Sequence, residues 1–422
     1  MNIAIVGAGS TGVSTAYALA LEGHEVTVYE QRSTVAEEAS FGHAGWQTPA
    51  LLQPWTIFGL DPATRSTALP GRQALLRPGP AWHGDWSERW QRRQAGRRLR
   101  KTTDAAPALV ALEQLAAHSL QLQQAQWQQW ELDPESLRGS LVLLGTEAER
   151  ERLQPALQAL SEAGSTWEPL DATQTRQMEP ALGEELEFAG ALFFPEGASA
   201  NGRLATLMQR QAAQAMGVHF EMQHAVTQVH AAAKGRPTQV WLRGQDMPRS
   251  HGAIVICTGA EATSLLAPLG LRLPARPLHG YGINAPLREE SYAPRHAIVD
   301  WSEQLTLTRL GQRIRLAAGA ELGRRAPPHE ATLQRMYHRL NMLFPGSAAL
   351  SAGVQVWHGT RLCTTDGLPL LGASGLPGIW LNLGHGGSGA AMAQGCAAVL
   401  ADLMGQRPTP IDSLLIDPRR FG

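Results

Sequence analysis

Residues 2–12 read Asn-Ile-Ala-Ile-Val-Gly-Ala-Gly-Ser-Thr-Gly. An apolar run that stops at a glycine cluster is the pattern of a strand buried on both faces. Residues 12–22 are rich in alanine and leucine and predict a helix, which Gly23 ends as a C-terminal cap. Residues 25–30, Glu-Val-Thr-Val-Tyr-Glu, predict the next strand, so a βαβ unit occupies the first thirty residues. Gly7, Gly9 and Gly12 then form G-x-G-x-x-G at a strand-to-helix junction. Gly7 makes the tight turn, Gly9 admits a pyrophosphate to the backbone, and Gly12 lets helix and strand pack closely. The helix start, with Ser10 and Thr11, offers unpaired N–H groups and a positive dipole end to phosphates. Glu30 follows Gly12 by 18 residues, where a carboxylate can accept hydrogen bonds from both ribose hydroxyls. Gln31 and Arg32 come directly after it. A glycine-rich turn that binds nothing is the competing reading, but strand, helix, second strand and terminal acid all fall in place.

Outward from this unit, residues 50–80 are rich in proline and glycine and predict irregular chain. Residues 82–130 predict a polar helix, with Trp82, Trp86 and Trp90 four residues apart. Strands are expected at 139–144, 188–194, 218–222, 238–243 and 253–257, and helices at 146–163, 202–216 and 329–343. Thr258 and Gly259 end the fully apolar strand 253–257 and join the expected cofactor-binding set. Short alternating segments over 278–317 predict an antiparallel sheet. Residues 378–383 predict a strand and 389–404 a last helix. No repeat at solenoid spacing is present.

A second glycine cluster, Gly384-His385-Gly386-Gly387-Ser388-Gly389, follows that strand and opens that helix. A second helix start can supply N–H groups to an electron-rich ring far from the first phosphate site. FAD needs such a second site, because its isoalloxazine lies far from its ADP half. A simple nicotinamide enzyme has no evident use for it. A flexible turn capping the last helix is the alternative.

Composition narrows the class. The 422 residues exceed one ordinary core and predict two intertwined domains. With 43% hydrophobic and 17% charged residues the chain is globular. A formal net charge of -1 gives no global field for nucleic acid. The three cysteines, Cys257, Cys363 and Cys396, form no C-x-x-C pair, which predicts neither a zinc site nor a disulfide framework. No metal site is expected. The opening strand without a basic, then apolar leader predicts no signal peptide, and no apolar run reaches membrane-spanning length. The expected location is cytoplasmic. A basic run, Arg89, Arg92, Arg93, Arg97, Arg98, Arg100 and Lys101, lies beside Trp82, Trp86 and Trp90. It is read either as a solvated helix face or as a peripheral contact with the inner face of an anionic membrane.

These pieces together resemble the D-amino acid oxidase superfamily of FAD enzymes, and within it the bacterial D-amino acid dehydrogenases. The resemblance runs along essentially the whole chain. It rests on the glycine motif with Glu30-x-Arg32, then Ala39-Ser40-Phe41-Gly42-His43-Ala44-Gly45, then Gly280-Tyr281. It continues through Trp357-x-Gly359-x-Arg361, Thr365-Asp366-Gly367-Leu368-Pro369 and Leu383-Gly384-His385-Gly386. It implies an α/β fold: a discontinuous Rossmann-like FAD-binding domain (1–50, 195–277 and 350–422) and an α+β substrate domain (51–194 and 278–349) with an antiparallel sheet. It also implies that Ser40 to Gly45 pass beside the isoalloxazine and that Val226 lies on a strand by the adenine. Arg361 would bind the substrate carboxylate, with Tyr281 near the active site. The chain departs from the family at His43-Ala44-Gly45, at His279 and at Leu362-Cys363-Thr364.

Flavin oxidation of an amine moves a hydride from Cα to N5, so the substrate must be held with that bond aimed at about 3–3.5 Å. Arg361 offers a bidentate fork for a carboxylate, unless it only pairs a structural charge. Tyr281 is expected to donate to the same carboxylate, or else to be a satisfied core aromatic. His43, His279 and His385 are candidates to tune protonation near the flavin; packed histidines are the alternative. In the sarcosine-oxidase branch a lysine facing the flavin activates oxygen. Neither Lys101 nor Lys234 looks placed for that, which favours a dehydrogenase passing electrons to a quinone or another carrier. The expected catalytic set is Arg361, Tyr281 and His43. The expected cofactor set is Gly7, Gly9, Ser10, Thr11, Gly12, Glu30, Gln31, Arg32, Ser40, Gly45, Val226, Thr258, Gly259, Arg361, Gly384, His385, Gly386, Ser388 and Gly389. A D-amino acid is the leading substrate. A secondary amine such as glycine, sarcosine or hydroxyproline, and a non-catalytic flavoprotein, remain as alternatives.

Overall fold

The computed structural model describes residues 1–50, 76–78, 106–322, 328–364 and 366–421. The basic run, Trp82, Trp86, Trp90, most of the proline-rich stretch, Lys101 and Thr365 lie outside these residues.

The opening strand, Asn2–Val6, sits inside a six-stranded sheet. Its order is Leu370–Ala373, Ile379–Leu383, Ala253–Ile256, Asn2–Val6, Glu25–Glu30, His219–Met222. Ile3 pairs in parallel with Ala253 on one side and Val26 on the other. Ile3, Ala4 and Ile5 have no exposed surface, which is why the sequence there is apolar without alternation. The pair Leu370–Ala373 and Ile379–Leu383 is antiparallel and closes one edge. Helices Ser10–Leu21 and Gly389–Met404 pack against each other in the core beside this sheet. Gly23, with φ +75°, turns the chain out of the first helix.

The larger sheet has a main path of eight strands, ordered Gln355–Thr364, Ala275–Pro286, Arg313–Leu322, Leu305–Leu310, Ala297–Asp300, Leu137–Leu144, Gly190–Ser199, Trp46–Thr48. Leu76–Pro78 and Glu168–Asp171 pair with it off that path. Its strands over 275–322 are antiparallel, as the alternation predicts, while Ala297–Asp300 runs parallel to Leu137–Leu144. Trp46–Thr48 and Gln355–Thr364, grouped by sequence with the FAD-binding part, are edge strands of this sheet.

Register sorts the two faces. Gly282 lies opposite both Trp357 and Ala317, Asn284 opposite Arg315, and Arg315 opposite Thr308. Side chains opposite one another share a face, so Trp357, Gly359, Arg361, Gly280, Gly282, Arg315, Ala317, Thr306 and Thr308 share one. The other face carries Tyr281, Ile283, Leu305, Leu307, Leu316 and Ala318. These pack in one apolar cluster with Leu333, Met336 and Leu340 of the helix Glu330–Leu343. Each fully buried leucine there contributes roughly 1.5–3 kcal/mol. The polar, small-residue face is therefore left to look toward the smaller sheet.

Candidate active site

A cavity of about 530 Å³ runs from the glycine motif to that polar face. It lies where ligands of open parallel sheets bind, beyond the carboxyl ends of the strands. Gly7, with φ +99°, brings its backbone so near Cys257 that an added Cβ would lie 2.8 Å from the Cys257 carbonyl oxygen. At Gly12 a Cβ would lie 1.9 Å from the Gly7 oxygen; this glycine serves helix–strand contact and does not border the cavity. Gly9 is different. Its Cβ would meet only Ser40 Oγ, at 3.4 Å, so the fold itself leaves space there for a ligand.

The Glu30 carboxylate accepts from the Ala8 N–H at 2.7 Å and from the Arg32 N–H at 2.8 Å. Burial raises its pKa against those hydrogen bonds. Beside it Gln31 donates to Glu261, and Arg32 pairs with Glu38. Ser10 N–H donates to Ser40 Oγ at 3.1 Å. Thr11, Val226, Thr258 and Gly259 complete this end. Thr258 Oγ1 is buried in the wall without a hydrogen-bond partner, an orphan that a ligand hydroxyl or phosphate would satisfy. The open space at Gly9, the braced Glu30 carboxylate and this orphan together fit the ADP half of FAD.

The second glycine loop borders the other end through Gly384, His385, Gly386 and Gly389. A buried chain of hydrogen bonds ties it to the first helix. Thr15 Oγ1 donates to the Thr11 carbonyl at 2.7 Å and so accepts from Asn382 Nδ2 at 3.0 Å. Asn382 Oδ1 is thereby turned to His385 Nε2, 2.9 Å away, which must carry the proton. Burial lowers the His385 pKa to about 4, so the ring is neutral at pH 7. Ser388 donates to the Ala50 carbonyl at 3.4 Å, and neither Ser388 nor Gly45 borders the cavity.

Four side chains hold the segment Ser40 to Gly45 in place. Arg315 donates to the carbonyls of Phe41 and His43 at 3.0 and 3.3 Å. The guanidinium groups of Arg203 and Arg315 both pack on the Phe41 ring, at 5.1 and 5.5 Å. Thr308 donates to the Ala44 carbonyl. Burial lowers the Arg315 pKa to about 10, which still leaves it charged at neutral pH. His43 Nδ1 accepts from the Gly45 N–H at 2.9 Å, so its Nε2 donates to Gly387 O at 3.2 Å. The ring stitches this segment to the second glycine loop.

Arg361 reaches the cavity from the polar face. Its Nη2 donates to Gly319 O at 3.2 Å, and no carboxylate among the described residues pairs with it. Gly280 makes the room: a Cβ there would lie 2.2 Å from Nη2. Burial lowers the pKa of this guanidinium, and the neighbouring Cys363 acts against that fall. Tyr281 borders the same cavity, but its ring does not share that face. It stacks on His358, with centroids 4.9 Å apart, and its hydroxyl accepts from the His329 N–H at 3.0 Å. Strand alternation thus separates two residues that the sequence brought to one carboxylate. His279 does not border the cavity itself, but its Nδ1 meets Oγ1 of Thr360, which does, at 2.8 Å. Burial pushes the Cys363 thiol up to about 11 and Cys257 to about 12. Sequence reasoning gave no role to Arg315 or Asn382. A lone arginine in an alternating strand reads as exposed, and an asparagine in an apolar strand carries no motif.

A family model described as FAD dependent oxidoreductase (DAO) matches residues 2–403. The chain belongs to this family: it is an FAD-dependent oxidoreductase. It is 31% identical to the D-amino acid dehydrogenase of Rhizorhabdus wittichii over 98% of both chains. It is 30% identical to the D-amino acid dehydrogenase of Vibrio cholerae serotype O1 over 100% of this chain and 99% of that one. Among solved structures it resembles glycine oxidase from Geobacillus kaustophilus, at TM-score 0.72 and 20% identity, covering 99% of this chain and 98% of that one. L-proline dehydrogenase from P. horikoshii gives TM-score 0.74 at 16% identity, covering 100% and 97%. Among the described residues no helix is long and apolar enough to cross a membrane.

Proposed function

We propose that the chain oxidises a D-amino acid to the corresponding imine and passes the electrons to a quinone or another carrier. One observation carries the reading: a guanidinium, Arg361, that no carboxylate among the described residues pairs with, at the far end of a cavity whose near end fits the ADP half of FAD. Full-length relatives named D-amino acid dehydrogenase favour the D-amino acid over other carboxylated amines.

Bound FAD supplies the acceptor for the hydride that leaves the substrate α-carbon. The protein's own work is orientation. Arg361 offers two N–H donors to a carboxylate, which fixes the α-carbon relative to the sheet face. Gly280 gives the Arg361 guanidinium its place, Gly282 lets the Gly42 backbone approach the sheet, and Ala317 borders the cavity from that face. The neutral His385 adds no positive charge beside a substrate amine, which reacts in its neutral form. The segment Ser40 to Gly45, braced by Arg315, forms the opposite wall.

Among the described residues no lysine borders the cavity, which supports a carrier rather than oxygen as acceptor. We assign cofactor binding chiefly to 1–50, 195–277 and 350–422 and substrate binding chiefly to the remainder, with Arg361 reaching the substrate from the strand Gln355–Thr364 of the larger sheet. If the carrier is membrane-borne, the run Arg89 to Lys101 is the docking segment, and holoenzyme should then bind anionic vesicles in a salt-sensitive way. The direct test is anaerobic addition of D-amino acids, L-amino acids, sarcosine and proline analogues to the yellow holoenzyme. Bleaching by D-amino acids that air reverses only slowly is the expected result. Bleaching by another class alone overturns the substrate, and rapid peroxide release overturns the acceptor.

A further inference from the structure

We propose that Trp357 sets the size of the substrate's α-substituent, limiting it to short, uncharged groups. This rests on the reading that Arg361 holds a carboxylate. Trp357, Gly359 and Arg361 alternate along one strand and therefore stand on one face. The indole folds back over Gly359, where an added Cβ would lie 1.7 Å from its Cζ2. It also packs against Gly42, where a Cβ would lie 2.0 Å from its Cε3. Gly42 belongs to the segment forming the opposite wall, and Trp357 itself borders the cavity. The benzo ring thus fills the gap between the two walls next to the carboxylate clamp. Two glycines on different elements are shaped to it, so the ring is fixed rather than free to swing aside. The remaining side chains of this face at the cavity are Thr306 and Ala317. Among the described residues there, Arg361 is the one permanent charge. A second charged group on the substrate finds no partner, and a bulky one meets the indole.

The test uses holoenzyme and two carboxylate probes, propionate and benzoate, titrated against the flavin absorbance bands. In the unaltered enzyme propionate should bind more tightly than benzoate relative to the altered forms. Trp357→Ala should shift the ratio of the two dissociation constants toward benzoate on the order of tenfold or more. Trp357→Phe should shift it in the same direction by less. Gly359→Ala, which drives a methyl group into the ring and leaves Trp357 in the chain, should change the ratio too. A ratio unchanged in Trp357→Phe and Gly359→Ala holoenzymes overturns the assignment, whether or not Trp357→Ala keeps its flavin. If neither probe perturbs the flavin of the unaltered enzyme, the carboxylate clamp falls and this inference falls with it.

Discussion

At Gly12 an added Cβ would sit 1.9 Å from a backbone oxygen, while at Gly9 it would meet nothing nearer than 3.4 Å. Two glycines of one motif should therefore fail in different ways. Gly12→Ala should destabilise the protein by about 1–3 kcal/mol through overpacking, read as a lower melting temperature of the apoprotein. Gly9→Val should leave the apoprotein fold intact by circular dichroism yet yield a colourless preparation, because only the cofactor needs that space. A yellow Gly9→Val preparation would count against the cradle. For Arg361→Ala, loss of a charged hydrogen-bonding pair worth about 1.5–3 kcal/mol should raise KM for a carboxylated substrate roughly 10–150-fold, with the flavin still bound. An unchanged KM would remove Arg361 from the clamp. The glycine motif was legible in the sequence because backbone constraint is local. The facing of Tyr281 was not, because it depends on pairing with a strand far along the chain.

Among the elements, the loop Gly384 to Gly389 is locked to the first helix by the chain His385, Asn382, Thr15, Thr11. Burial depresses the pKa of His385 in the folded protein to about 4 from its ordinary 6.5. The unfolded chain therefore binds a proton first as pH falls. The stability due to the neutral buried ring is complete above about pH 6.5 and is lost as pH falls toward 4. His385→Asn should flatten the melting temperature against pH across that window relative to the unaltered protein. An identical acid limb in both would show that this ring does not titrate there. The sequence predicted the antiparallel sheet over 278–317 from alternation such as Leu305-Thr306-Leu307-Thr308, without the bounds of its strands. It did not predict the strand Gln355–Thr364. One face of that strand carries Trp357, Gly359 and Arg361 for the cavity, so it lacks an apolar stripe.

For the whole molecule, the cavity is walled on one side by the first strand's sheet and on the other by the larger one. A ligand filling it touches both, so removing FAD should lower the melting temperature of the molecule as a unit. Adding FAD back should raise stability by about 1.4 kcal/mol for each tenfold excess over its dissociation constant. Two separate transitions, with only one moved by FAD, would contradict that coupling. Two intertwined parts were the expectation from length and from the resemblance, but the strand order of the larger sheet was not legible, since it is a matter of long-range pairing. That intertwining bears on synthesis. Ile3 is made long before its neighbour Ala253 leaves the ribosome, and Leu381 of the next strand comes later still. Until then the nascent first strand exposes an apolar, unpaired edge to the cell, open to chaperones and to aggregation alike. Maturation of this enzyme is thus a waiting problem, and the supply of chaperones during translation should govern its yield as much as the supply of flavin.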